Sequence, residues 1–123
     1  MHTYQSPPAG NEISCIFHGI SPEIINNNAL IRETLLAAIE VESFHVLGIV
    51  DHHFEPQGYS AVILFSESHA TIHTYPEYGS FVFHIYGCRS EQDGVKTLAY
   101  LKKHFGATRC DELSRRIIVD RLK

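Results

Sequence analysis

The run GYSAVILFSESHATIHTYPEYGSFVFHIYGC, residues 58–88, sets the architecture. Residues 60–65 are apolar and partly β-branched, residues 70–75 alternate Ile72 with polar neighbours, and residues 81–86 repeat a strand pattern. Only short polar or turn-forming segments separate the three, Ser66-Glu67-Ser68-His69 and then Pro76-Glu77-Tyr78-Gly79. Links that short make hairpins rather than helical crossovers, so the strands pair antiparallel.

The same reading extends in both directions. Upstream, residues 44–54 form a strand ended by a turn at 55–58 that contains Pro56. Before it, Ser21 and Pro22 start a helix that continues through Leu30 or Ile31, Leu35 and Ile39 to about Glu42, with the Asn26-Asn27-Asn28 run delaying its regular part. Ile13, Cys15 and Phe17 alternate as a short first strand, and residues 1–11 are expected to be a flexible lead-in, with structure starting near Glu12. Downstream, Val95, Leu98, Leu101 and Phe105 make a helical stripe closed by Gly106, and residues 108–119 return as a last strand. The order β-α-β-β-β-β-α-β predicts an α+β fold, a two-layer sandwich of a mostly antiparallel sheet with helices on one face. Residues 1–123 read as a single domain.

Composition narrows the function. With 44% hydrophobic and 20% charged residues the chain is suited to one core, and its formal net charge of −4 offers no surface for nucleic acid or an anionic membrane. No stretch approaches the roughly 20 apolar residues of a membrane span, and no signal-like run opens the chain. Three cysteines, Cys15, Cys88 and Cys110, are an odd number without short-range pairing, which fits a reducing, cytoplasmic setting.

Residues 65–79 concentrate two serines, two glutamates and two histidines. Such a cluster beside a hairpin is most simply a solvated turn. A metal site built from His69 and His73, with His52 or His53, meets a spacing problem: four strand residues place the two imidazoles about 13 Å apart, and no metal is expected. Ser68, His73 and Glu77 hold the atoms of a hydrolytic triad, but neither a G-x-S-x-G turn nor a following helix surrounds the serine.

The run Ser66-Glu67-Ser68-His69-Ala70-Thr71-Ile72-His73-Thr74-Tyr75-Pro76-Glu77-Tyr78-Gly79, followed by Gly87-Cys88, closely resembles the signature of the small bacterial and archaeal S-adenosylmethionine decarboxylases. The resemblance implies a proenzyme that cleaves itself between Glu67 and Ser68 and converts Ser68 into a pyruvoyl group, the only cofactor. It implies His73 as processing base, Ser60 as its helper, and Cys88 as proton donor to the decarboxylated carbon. Glu77 would bind the ribose hydroxyls and Phe54 would stack on adenine. It also implies a small-molecule substrate and a homodimer whose active sites draw on both subunits. The residue types suit these tasks, since a hydroxyl can attack its own upstream carbonyl, and imidazole and thiol move protons near neutrality.

Several positions depart from the common pattern. Tyr75 replaces a usual tryptophan, His84 stands where an acidic residue is common, Tyr86-Gly87 replaces Phe-Thr, and Arg89 follows Cys88 in place of glycine. Gly10-Asn11-Glu12 lacks the histidine normally found beside the first strand. These changes bear on substrate more than on reaction type, so L-ornithine or L-arginine are alternatives to S-adenosylmethionine. A binding module that has lost catalysis is a third reading, disfavoured because Ser68 and Cys88 are both retained.

Overall fold

The computed structural model describes residues 7–66 and 68–119. Six strands form one antiparallel sheet in the order β2-β3-β4-β5-β1-β6. They are β1 (Ala9–His18), β2 (Val46–His53), β3 (Tyr59–Phe65), β4 (Ser68–Tyr75), β5 (Ser80–Gly87) and β6 (Arg109–Ile118). Helices α1 (Pro22–Ile25), α2 (Asn28–Glu40) and α3 (Val95–Phe105) supply the second layer, the α+β sandwich expected from the sequence.

Strand periodicity decides which residues form the core. Ile13, Cys15 and Phe17 of β1 point the same way as Phe81, Phe83 and Ile85 of β5, with which they pair in register. All six are buried, as are Ile31, Leu35 and Ile39 of α2 and Leu98, Leu101 and Phe105 of α3. Phe17 stacks on Phe81 with centroids 4.4 Å apart, and Phe81 meets Phe105 edge-on at 5.0 Å. The opposite face of the sheet carries Ser14, Val62, Leu64, His69, His73 and His84, and none of the described helices covers it.

Three boundaries differ from the sequence reading. β1 begins at Ala9, which pairs with Ile118, so residues 9–11 belong to the sheet and not to a flexible lead-in. The pairing needs the far end of the chain, which local pattern does not reveal. The first helix breaks at Asn26: Ser21 makes no side-chain cap, whereas Asn27 accepts a hydrogen bond from Leu30 N–H at 3.1 Å and starts α2. β4 begins at Ser68, so the turn before it is shorter than Ser66 to His69.

Candidate active site

The residues singled out by sequence fall at two ends of the sheet. At one end, Ser68 opens β4 and pairs with Gly87, the last residue of β5, with Cys88 following directly. Ser68 also pairs with the buried Phe65, so its side chain lies on the helix-covered face. Its Oγ is buried and has no hydrogen-bond partner among the described residues. A buried hydroxyl without a partner is costly in a fold, roughly 1–3 kcal/mol, and is available for chemistry. Glu67, the expected residue on the other side of the scissile bond, lies outside the described residues.

The loop after Cys88 is built around a buried aspartate. Asp93, 3% exposed, accepts hydrogen bonds from Arg89 N–H at 2.7 Å and Ser90 N–H at 3.2 Å. Its own carbonyl accepts from the buried Asn11 side chain at 2.8 Å. A Cβ at Gly87 would come within 2.5 Å of the Asp93 side chain, which explains the glycine there. Glu42, from the α2–β2 connection, accepts from Gly94 and Thr97 N–H at 3.0 and 2.8 Å and thus caps α3, whose N-terminus has no local side-chain cap.

At the other end, Ser60 Oγ lies 2.7 Å from His73 Nδ1, the two being register partners on β3 and β4. Both face the open side of the sheet. Phe54 follows β2, is about half exposed, and donates its N–H to the Gly58 carbonyl at 2.9 Å to close the β2–β3 turn. Gln57 of that turn donates to Glu77 Oε2 at 3.3 Å, which joins it to the 3-10 turn Pro76–Tyr78. Ser60, His73, Phe54 and Glu77 are therefore grouped, while Ser68 and Cys88 are not with them. Ser68 and His73 are five positions apart, about 16 Å along β4, and the odd separation sends their side chains to opposite faces.

Comparison with known proteins gives the family. Residues 12–116 match the family described as S-adenosylmethionine decarboxylase. The chain belongs to that family. Two of its relatives are the S-adenosylmethionine decarboxylase proenzymes of Thermosipho melanesiensis, 35% identical over 76% of this chain and 72% of that one, and of Thermotoga petrophila, 33% identical over 81% and 77%. In fold it is similar to the crystal structure of the adenosylmethionine decarboxylase from Aquifex aeolicus, with a TM-score of 0.84, 23% identity and coverage of 93% and 94%. Membership in this family makes the chain an enzyme of the decarboxylase class.

The family departures acquire physical surroundings. His84 faces the open side, where its Nε2 is 3.6 Å from Glu12 of β1, which in turn is 3.2 Å from Arg115 of β6. His84 therefore has a carboxylate neighbour across the strand. Tyr75 is on the same face and half exposed. Sequence reading missed Asn11, Asp93 and Glu42 as builders of the Ser68 end. Asp93-Gly94 ahead of the α3 stripe is a visible loop signal, but Glu42 lies 52 residues from Gly94 and carries no local mark.

Proposed function

We propose that this chain is a self-processing decarboxylase that acts on S-adenosylmethionine through a pyruvoyl group made from Ser68. The observation that carries the reading is the buried, unpartnered Ser68 Oγ at the head of β4. A hydroxyl already satisfied by a neighbour would have to break that bond before attacking; this one has no such bond among the described residues.

Processing starts when Ser68 Oγ attacks the carbonyl of residue 67, so the amide C–N bond breaks and an ester forms. A base then takes the Ser68 α-proton, and elimination releases the residue 67 carboxylate and leaves dehydroalanine. Its hydrolysis releases ammonia and leaves the ketone. Once formed, the pyruvoyl group supplies an electron sink for the loss of carbon dioxide from an amine-bearing substrate. His73 is the processing proton carrier, with Nδ1 held by Ser60 Oγ. Cys88, one residue beyond the strand partner of Ser68, returns a proton to the substrate carbon. Phe54 presents an apolar face to a nucleobase, and Glu77, held by Gln57, accepts from the ribose hydroxyls.

Because one chain separates its two groups by about the length of β4, the working unit is a homodimer. His73 and Ser60 of one subunit, on its open face, serve the bond between residues 67 and 68 of the other from the side opposite Ser68 Oγ, with Cys88 beside it. The uncovered sheet face is the surface for the second copy: Leu64 is 54% exposed and Leu113 79%. Apolar residues on an open sheet face are costly in water and favour burial.

The deciding experiment measures carbon dioxide release from S-adenosylmethionine, L-ornithine and L-arginine in parallel, with Ser68→Ala as control. Release from the nucleoside by the wild type alone supports the reading. Release from an amino acid only replaces the substrate and keeps the mechanism, and activity of Ser68→Ala rejects both.

A further inference from the structure

The turn between β5 and α3 opens with Cys88-Arg89, and Arg89 has several partners among the described residues. Its Nη2 donates to the Glu42 carbonyl at 2.8 Å and its Nη1 to the Ser43 carbonyl at 3.4 Å. Its Cζ lies 3.9 Å from the centroid of the Phe44 ring, and its Nε is 3.8 Å from Asp93 Oδ1. One side chain thus grips three consecutive residues of the α2–β2 connection.

Phe44 passes the contact on. Its ring lies 4.4 Å from that of Phe65, and Phe65 is the strand partner of Ser68. A continuous set of contacts runs from Cys88 through Arg89, Phe44 and Phe65 to Ser68. The connection being gripped is strained: Ser43 has φ of +60°, a left-handed conformation unfavourable for a non-glycine residue. Its carbonyl is one of the two that Arg89 holds. Beside them opens a cavity of about 400 Å³ lined by Ser43, Arg89, Asp93 and Lys96, so a truncated Arg89 leaves space that water enters.

We infer that Arg89 is a positioning residue for Cys88: its guanidinium fastens the Cys88 turn to residues 42–44 and fixes the thiol relative to Ser68. The inference rests on the proton-donor role proposed for Cys88. Arginine suits the task where lysine does not, because the planar fork reaches two carbonyls while its face lies on an aromatic ring. The clamp holds the thiol without touching substrate. Losing it therefore affects proton delivery before it affects binding.

The test uses the uncleaved Ser68→Ala chain and follows alkylation of Cys88 by iodoacetamide, with the partly buried Cys110 as internal reference. Arg89→Ala is expected to raise the Cys88 rate about fivefold through local opening and to leave Cys110 unchanged. In the self-processed enzyme the same substitution is expected to lower kcat about tenfold, keep KM within about twofold and leave the rate of self-cleavage unaltered. Arg89→Lys should fall between, and Phe44→Leu, which keeps the carbonyl bonds but removes the ring, should move both readouts the same way by less. Unchanged Cys88 alkylation in Arg89→Ala, or equal acceleration of Cys88 and Cys110, overturns the inference. If Cys88→Ala turns over normally while the alkylation result holds, the donor role fails and the clamp stands as structure alone.

Discussion

Ser68 and His73 share strand β4 yet face opposite sides of the sheet, with about 16 Å of backbone between them. No rotamer of either side chain closes that distance. The proposed homodimer would bring the His73 of one copy to the Ser68 of the other. Co-expression of Ser68→Ala with His73→Ala is expected to restore cleavage of the His73→Ala chain, whose intact serine meets the intact histidine of its partner. Denaturing electrophoresis of the two variants alone and together reads the result, and no cleavage in the mixture would place both groups in one subunit.

Ser60 Oγ lies 2.7 Å from His73 Nδ1 and fixes the orientation of the ring. Ser60→Ala is expected to slow self-cleavage by about tenfold to a hundredfold, less than the roughly hundredfold to ten-thousandfold worth of a positioned proton carrier because His73 itself remains. Cys88→Ala should cleave at the wild-type rate and lose turnover. A cut after residue 67 of 123 gives fragments of 67 and 56 residues, so a gel time course separates the two effects.

Leu64 and Leu113 lie on the face that none of the described helices covers. Leu64→Glu places a charge where the proposed second copy would pack. The expected outcome is a folded monomer, with an unchanged far-ultraviolet dichroism spectrum and a later elution volume, and with cleavage lost alongside the dimer. A variant that elutes as the wild type does would move the interface elsewhere.

Alkaline stability follows from two buried acids. Burial, with Cys110 close by, raises the Cys15 thiol from 9.0 to about 12, and burial with the Asp51 hydrogen bond raises the Tyr59 phenol from its ordinary value of 10.0. Above pH 9 the unfolded chain loses the Cys15 proton while the folded chain keeps it, so stability falls as pH rises from about 9 towards 12. Each such group contributes a slope of up to about 1.4 kcal/mol per pH unit. Urea titrations at pH 8 and pH 11 should show the loss, and Cys15→Ala should lessen it; an equal loss in that variant would remove Cys15 from the account.

Much of this molecule could be read from residues 58–88. The apolar, partly β-branched run at 60–65, the alternation around Ile72 and the strand pattern at 81–86 are local, and short turns permit only antiparallel neighbours, so these three strands and their pairing were visible. The break of the first helix was half visible, since three consecutive asparagines compete with helical hydrogen bonds, but which of them would cap was not. The partners of Arg89 were hidden for another reason: Glu42 and Ser43 lie 47 and 46 residues away. Their carbonyls are backbone atoms that any residue type would supply.

The sequence by itself determined the fold class and the family and supplied the residue types of the candidate site, because strand alternation and a long motif are properties of neighbours along the chain. Only the tertiary structure decided that the motif is cut in two. Side chains on a strand alternate with period two and rise by about 3.3 Å each, so five positions that look adjacent in a motif become opposite faces and opposite ends of a sheet.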